Sequence, residues 1–271
     1  MGVHNRVSLQ PGYVLHHRPY RDTSSLVEIL TRDYGRIGVV ARGAKRAKSR
    51  LYGVLQPFLP LIVSWSDKGD LGTLGSAEPQ GPVRLPSGRT VMSGFYVNEL
   101  LMRLLHRHDP HPLLFDEYSR VLQQLSILSG NDAKESTADF AEQRFLRIFE
   151  KNLLRELGYG LVLDHDVVTG KAISKDRYYE YFLDRGPVLR VDVSDSSKDR
   201  PDRRECISLS GHSLISLALD ELKDDRSLLE SKRLMRAVLK QYLGDKPLGS
   251  RRLFRSFVHA SKIHNLDTTS M

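Results

Sequence analysis

The chain has 271 residues, with 41 Lys and Arg against 33 Asp and Glu, a formal net charge of +8 and 40% hydrophobic residues. Those proportions exclude wholesale disorder and allow one large domain or two smaller ones, while the basic excess favours a nucleic acid or another anionic surface as partner. Cys206 is the only cysteine, so no disulfide forms within the chain, which fits a reducing compartment. The N-terminal residues lack a charged-then-apolar leader pattern, and no apolar run approaches the roughly 18 residues of a membrane span. A soluble, intracellular protein is the expectation.

The first eighty residues read as β. Extended candidates are Gly12 to His17, Leu26 to Thr31, Arg36 to Ala41, Leu59 to Trp65 and Leu71 to Ala77. Asp33-Tyr34-Gly35 is a short turn that would join the second and third as a hairpin. In the fourth, Leu59, Leu61, Val63 and Trp65 alternate and place one face inward. Five short strands are too few for an immunoglobulin-like sandwich, and they suit a small barrel such as the OB-fold, which binds oligonucleotides.

Between the third and fourth strands lies Arg42-Gly-Ala-Lys45-Arg46-Ala-Lys48-Ser-Arg50, a run with five cations and no acid. Its Gly, Ala and Ser spacers offer no apolar stripe, so it does not read as an amphipathic core helix. A cationic loop held at both ends by a sheet suits a polyanion, because each neutralised phosphate releases condensed counterions. A solvated charged loop is the plain alternative. Tyr20 and Tyr52, beside Arg or Gly in turn-like contexts, are candidates to stack on bases, whereas Tyr13, Tyr34 and Phe58 are assigned by default to packing.

A Pro/Gly-rich junction from Pro79 to Gly88 separates this β region (1–80) from a mainly helical one (81–271). Val97, Leu100, Leu101, Leu104 and Leu105 fall at helical spacing, and Asp109-Pro110-His111-Pro112 ends that helix. Leu114 to Leu128 and Asp139 to Leu157 give two more, the latter with Gly158 as C-cap. From about 160 to 209 the pattern is irregular, with strands at Tyr178 to Leu183 and Val188 to Val193 around a turn at Asp184 to Pro187. Helices return at Ser213 to Leu222, Leu228 to Leu243 and Ser250 to about Val258. The fold class is therefore α+β, a five-stranded OB barrel followed by a helical domain with a small β insertion. From Lys232 to the end there are nine Lys or Arg and two acids, Asp245 and Asp267, and Lys246, Arg251, Arg252 and Arg255 form a second candidate basic surface.

Catalytic signatures are missing: no Walker A loop, no Gly-x-Gly-x-x-Gly after a strand, no His-Glu-x-x-His and no Gly-x-Ser-x-Gly. His106, His108 and His111 match no common ligand spacing and suit a polar helix terminus. Asp164, His165, Asp166, Cys206 and His212 hold one thiol without a Cys-x-x-Cys pair, a weak zinc signal. Asp224-Asp225 and Asp220-Glu221 read as solubilising helix ends. The expectation is a protein with no catalytic residue, metal or cofactor. A metal-dependent nuclease and an adaptor whose basic patches dock acidic partner tails are the rivals.

Several segments taken in order resemble the RecO family of bacterial recombination mediators. They are Val14 to Ser24, Gly35 to Ala44, Leu55-Gln-Pro-Phe58, Tyr96 to Leu101, Glu156 to Gly160 and Tyr242 to Arg251. The resemblance implies a cytoplasmic, nucleoid-associated protein that binds single- and double-stranded DNA and anneals complementary strands. It also implies action with RecR to load RecA onto DNA covered by single-stranded-DNA-binding protein. Arg147 stands where the family's arginine for the acidic C-terminal tail of that protein falls, and Lys151 lies one helical turn further on; periodicity alone would make both solvent-facing charges. Many relatives have a cysteine where Asp166 stands here, and some hold zinc with four, so the β insertion is expected to be metal-free.

Overall fold

A computed structural model describes residues 6–67, 71–81, 85–129, 135–190 and 206–250. The β region is a closed barrel of β1 (Arg6–Tyr20), β2 (Ser24–Thr31), β3 (Gly35–Ala41), β4 (Pro60–Ser66) and β5 (Gly72–Pro79), in the order β1-β2-β3-β5-β4. β4 closes it by pairing with β1, and only the β3–β5 contact is parallel, as an OB barrel requires. Val14, Val27, Ile29, Ile37, Val39, Leu61, Val63 and Trp65 fill the interior. β1 is longer than the alternation of Gly12 to His17 suggests, because its first half pairs with β4 and its second half with β2. It turns this corner at two irregularities, after Val7 and at Leu15. Bulges of this kind bend a strand and leave one residue unpaired.

The bulge at Leu15 binds the barrel to the next two helices, α1 (Thr90–Leu104) and α2 (Pro112–Leu128). Leu15 is the extra residue between the pairs Val14–Ile29 and His16–Glu28, so its buried carbonyl lacks a ladder partner. The Nδ2 of Asn98 on α1 donates to it at 2.9 Å, and the Tyr118 hydroxyl on α2 donates to Asn98 Oδ1 at 2.6 Å. All the polar atoms of this buried chain are thereby satisfied, and burial pushes the Tyr118 phenol well above its ordinary pKa. Tyr13 packs its ring on Phe115 and Tyr118 and shares a 2.9 Å hydrogen bond with Ser119. On the same side buried Glu28 pairs with both Arg36 and Arg107. The Phe58 ring lies against Gly94 of α1, where an added Cβ would come within 2.8 Å of it. Because of these contacts the chain divides into compact units after Ala133 and after Asp245, not at the Pro/Gly junction near residue 80. The barrel, α1, α2 and residues 246–250 belong to the first unit.

The second unit contains α3 (Glu135–Glu156), β6 (Tyr178–Phe182), β7 (Gly186–Leu189), β8 (Cys206–Ser210), α4 (Gly211–Ala218) and α5 (Asp225–Leu243), with sheet order β7-β6-β8. β8 is a third strand that the sequence pattern does not reveal, since five alternating residues after a polar stretch carry little signal. Asp166 organises the loop before the sheet. Its carboxylate accepts the N–H groups of Val168 at 2.9 Å and Thr169 at 2.7 Å, and also that of Leu189 on β7. Burial raises its pKa, but those three donors outweigh it and hold the group below the usual range. Asp224 is not a solubilising charge but the N-cap of α5, accepting the Ser227 N–H at 2.8 Å and bonded to His212 Nε2 at 2.8 Å. The last three residues of the expected strand from Val188 to Val193 and all but the first residue of the expected helix from Ser250 lie outside the described residues.

Two outcomes follow from these contacts. Asn98→Ala orphans both the Leu15 carbonyl and the Tyr118 hydroxyl and should cost about 3 kcal/mol in denaturant unfolding, whereas Tyr118→Phe should cost only about 1 kcal/mol. Asp224 gives a pH signature. Partial burial raises its pKa, but the Ser227 N–H and hydroxyl and the His212 ring bring it down to about 2. A carboxylate depressed on folding contributes stability in full above its unfolded value, and that contribution fades as pH falls through the folded one. The melting-temperature gap between the wild type and Asp224→Asn should therefore shrink as the pH falls from about 4 to about 2.

Candidate nucleic-acid interface

The segment from Arg42 to Leu59 leaves β3 and returns to β4 as a series of turns. Gly43 takes a positive φ of 68°, and the N–H groups of Arg46, Ser49 and Tyr52 donate to the carbonyls of Gly43, Arg46 and Ser49 at 2.9–3.1 Å. The Lys45 N–H donates to Thr23 O at 3.0 Å and so ties the loop to the β1–β2 turn. One small spacer does have a packing role: Ala44 enters the barrel core with Leu55, and Leu51, Val54 and Leu59 pack beneath. Phe58 and the Val14–Pro57 bridge hold the far end.

Apolar residues thus hold the loop down while its cations face outward. Arg42, Lys45, Arg46, Lys48 and Arg50 are all exposed, and among the described residues none takes part in an ion pair. Five uncompensated charges on an ordered segment produce a strong local positive potential.

Two concavities adjoin the loop and share no lining residue. The larger, about 630 Å³, lies among the β1–β2 turn, the start of the loop and the start of β5, and is lined by Tyr20, Arg21, Arg42, Gly43, Arg46 and Leu71 among others. In OB-folds the loops joining strands 1–2 and 4–5 are those that bind oligonucleotides. Arg21, which the sequence reading passes over, has a positive φ of 52° and its guanidinium lies 5.2 Å from the centre of the Tyr20 ring. A cation beside an aromatic in a three-residue turn is the signal that could have found it. The second concavity, about 390 Å³, is lined by His17, Lys45, Leu51, Tyr52 and Gln56 among others, and Tyr52 is 66% exposed. Tyr13 and Phe58 are buried, and Tyr34 lies edge-on to Trp65, so these three serve packing.

The other candidate residues lie apart from this region or outside the described residues. Lys246 is exposed, and its carbonyl accepts from Arg103 Nη2 at 2.9 Å, which ties it to α1. Arg251, Arg252 and Arg255 are outside the described residues. Arg147 and Lys151 are buried, at 6% and 8% exposure, contrary to the solvent-facing position that periodicity predicts. Lys151 Nζ donates to the carbonyls of Leu217 and Ala218 at 2.9 and 3.1 Å and pairs with Asp220 at 2.6 Å, while Arg144 donates to Asp220 O at 3.1 Å. These cations cap the carbonyl end of α4, where the helix dipole favours positive charge. Arg147, between them on the same helical stripe, pairs with buried Glu150.

Asp164 bonds His165 and Asp224 bonds His212, each at 2.8 Å. Among the described residues no group of three or more His, Cys, Asp or Glu could hold a metal ion, and no helix is long and apolar enough to cross a membrane.

Known families match both halves of the chain. The family described as Recombination protein O N terminal matches residues 6–83, which hold the barrel, and Recombination protein O C terminal matches residues 86–252. Relatives named DNA repair protein RecO are similar along nearly the whole length. That of Nitrosococcus oceani is 45% identical over 248 residues, 92% of this chain and 93% of the relative. That of Nitrosospira multiformis is 44% identical over 252 residues, 93% and 96% of the two chains. That of Coxiella burnetii is 43% identical over 248 residues, 92% and 98%. With an OB barrel under the first match and helices around a small sheet under the second, the chain belongs to the recombination protein O, or RecO, family.

Proposed function

We propose that the protein is a DNA repair and recombination mediator that works by binding and not by catalytic turnover. The observation that carries this is the ordered Arg42–Arg50 loop, whose five cations are exposed and, among the described residues, outside any ion pair, beside two tyrosine-bearing concavities. Phosphates of a single strand would follow the cations, and bases would stack on Tyr20 or Tyr52. Contacts of this kind carry little base information, so binding would tolerate any sequence, as repair requires. Neutralising phosphates also lowers the repulsion between complementary strands, a physical route to annealing. The name that the relatives carry supports a repair role, and the family resemblance supports duplex binding and action with RecR in loading RecA onto coated DNA.

Salt dependence tests this directly. If all five loop cations engage a single strand, they contribute about −3.5 to the slope of log affinity against log salt. Replacing Lys45, Arg46 and Lys48 by Ala should make the slope shallower by about 2, with the melting temperature unchanged because none of the three packs on the core. An unchanged slope would refute the assignment. Partner-free oligonucleotide binding of this kind also separates the mediator from an adaptor for acidic tails, and DNA cleavage on adding Mg²⁺ or Mn²⁺ would favour a nuclease.

A second interaction would use the other unit. A cleft of about 270 Å³ is lined by Lys151, Arg155, Leu161, Leu163, Ala218 and the carboxylate of Asp164. It offers apolar wall and cation together, the chemistry needed by the acidic, Phe-terminated tail of single-stranded-DNA-binding protein. The Arg155 side chain is 59% exposed and only loosely paired with Glu156, at 3.8 Å, whereas buried Arg147 is committed to Glu150. Arg155→Ala should therefore weaken binding of a tail peptide and spare naked DNA. Arg147→Ala should instead destabilise the fold by about 3 kcal/mol, because it removes one partner of a buried pair. Peptide affinity unaffected by Arg155→Ala would place the docking site elsewhere.

A further inference from the structure

Helix α5 carries a second cationic feature, unlike the barrel loop in geometry. Its buried side is apolar, with Leu228, Leu234, Met235, Val238 and Leu239. Arg233, Arg236 and Lys240 are exposed on the opposite side. At 3.6 residues per turn they fall within an arc of about 60°, and at 1.5 Å per residue they span about 10 Å of helix. No acidic residue occurs from Ser231 to Gly244. Exposed Leu229 and Arg226 extend the same stripe toward the N-terminus, but Arg226 is occupied by Glu230 at 3.1 Å and by Tyr178.

Two ordinary explanations fall short. Cations near a helix C-terminus offset its dipole, but that effect fades within the last turn and reaches only Lys240. Charged helical residues are also commonly paired in place, and this unit does so elsewhere: Arg147 with Glu150, Lys151 with Asp220, and Lys232 with Gln143 at 2.7 Å. Among the described residues Arg233, Arg236 and Lys240 take part in no ion pair or side-chain hydrogen bond. Three long cations are left in one row on a helix whose packing does not need them.

We propose that this face of α5 is a binding site for the phosphate backbone of duplex DNA, separate from the single-strand site on the barrel. The inference rests on the DNA-binding function proposed above and divides it between two surfaces. Chemistry distinguishes them. Single-strand sites add aromatic platforms to their cations, as Tyr20 and Tyr52 do beside the loop. The α5 row has no aromatic. Tyr242 lies nine residues from Arg233, on the opposite side of the helix, and is stacked on Tyr159 at 4.1 Å between ring centres. A straight row of point charges with no stacking surface suits a stiff backbone whose bases are already paired.

The test uses the full chain carrying Arg233→Gln, Arg236→Gln and Lys240→Gln together, beside the variant with Lys45, Arg46 and Lys48 replaced by Ala. Each is titrated across a salt series with a mixed-sequence duplex, a single strand of the same length and a poly-glutamate peptide. For the α5 variant the duplex slope should become shallower by about 2.7, with affinity at moderate salt weaker by about tenfold or more, while single-strand binding changes much less. Arg236→Gln alone, which guards against misfolding of the triple variant, should remove about 0.9 of slope. A wild-type duplex slope in the α5 variants, with the loop variant impaired on single strands, overturns this inference and leaves the barrel site standing. Wild-type binding of both DNAs by both variants overturns both surfaces, and failure of the unsubstituted chain to bind either DNA sinks the DNA-binding function itself. Poly-glutamate binding that depends on α5, without duplex binding that does, assigns the face to an acidic protein segment and overturns the inference too.

Discussion

The buried hydrogen bond from Asn98 to the carbonyl of Leu15 is the contact on which the barrel unit depends. A five-stranded barrel closes only if β1 bends sharply enough to pair with β2 along one half and β4 along the other. The bend needs an extra residue, and an extra residue in a ladder strands a carbonyl inside the protein. Asn98 supplies the missing donor and Tyr118 completes Asn98, so closing the barrel commits α1 and α2 to its wall. Once α1 is there, Gly94 receives the Phe58 ring and fixes the far end of the basic loop. Backbone geometry at one strand position thereby reaches the proposed DNA-binding surface.

Burial, not residue type, separates the cations of the proposed DNA site from the structural ones. The five of the loop are exposed and, among the described residues, take part in no ion pair, on a base held by Ala44, Leu55 and the Lys45–Thr23 hydrogen bond. Arg144 and Lys151 are also cations on a regular element, yet they are spent on the carbonyl end of α4. Asp166 shows the same economy with the opposite charge. By gathering three backbone N–H groups it holds together the loop and β7.

Much of this was legible in the sequence, and the remainder was hidden for definite reasons. All five barrel strands, the turn at Asp33-Tyr34-Gly35 and the helices on either side of Pro110 announce themselves by period and by turn residues. The Arg42–Arg50 run stands out because five cations without an acid are rare. Periodicity says which side of an element is apolar but not what will cover the other side. Arg147 and Lys151 therefore look exposed until α4 is placed against them. The row on α5 looks like any solvated face until its neighbours are seen to be paired. The unit boundary after Ala133 was invisible for a related reason: composition changes at the Pro/Gly junction, whereas the division follows a bulge carbonyl and a glycine that only three-dimensional contact makes meaningful. β8 was missed because five residues are too short a pattern.

The most direct test of the central claim, that a single strand lies across the β1–β2 turn and the basic loop, is amide hydrogen exchange of the whole chain with and without a saturating thymidine oligonucleotide. Slowed exchange concentrated at residues 20–24 and 42–53, with the barrel interior unchanged, is the expected result. Protection absent from both segments, while the oligonucleotide is demonstrably bound, would contradict it.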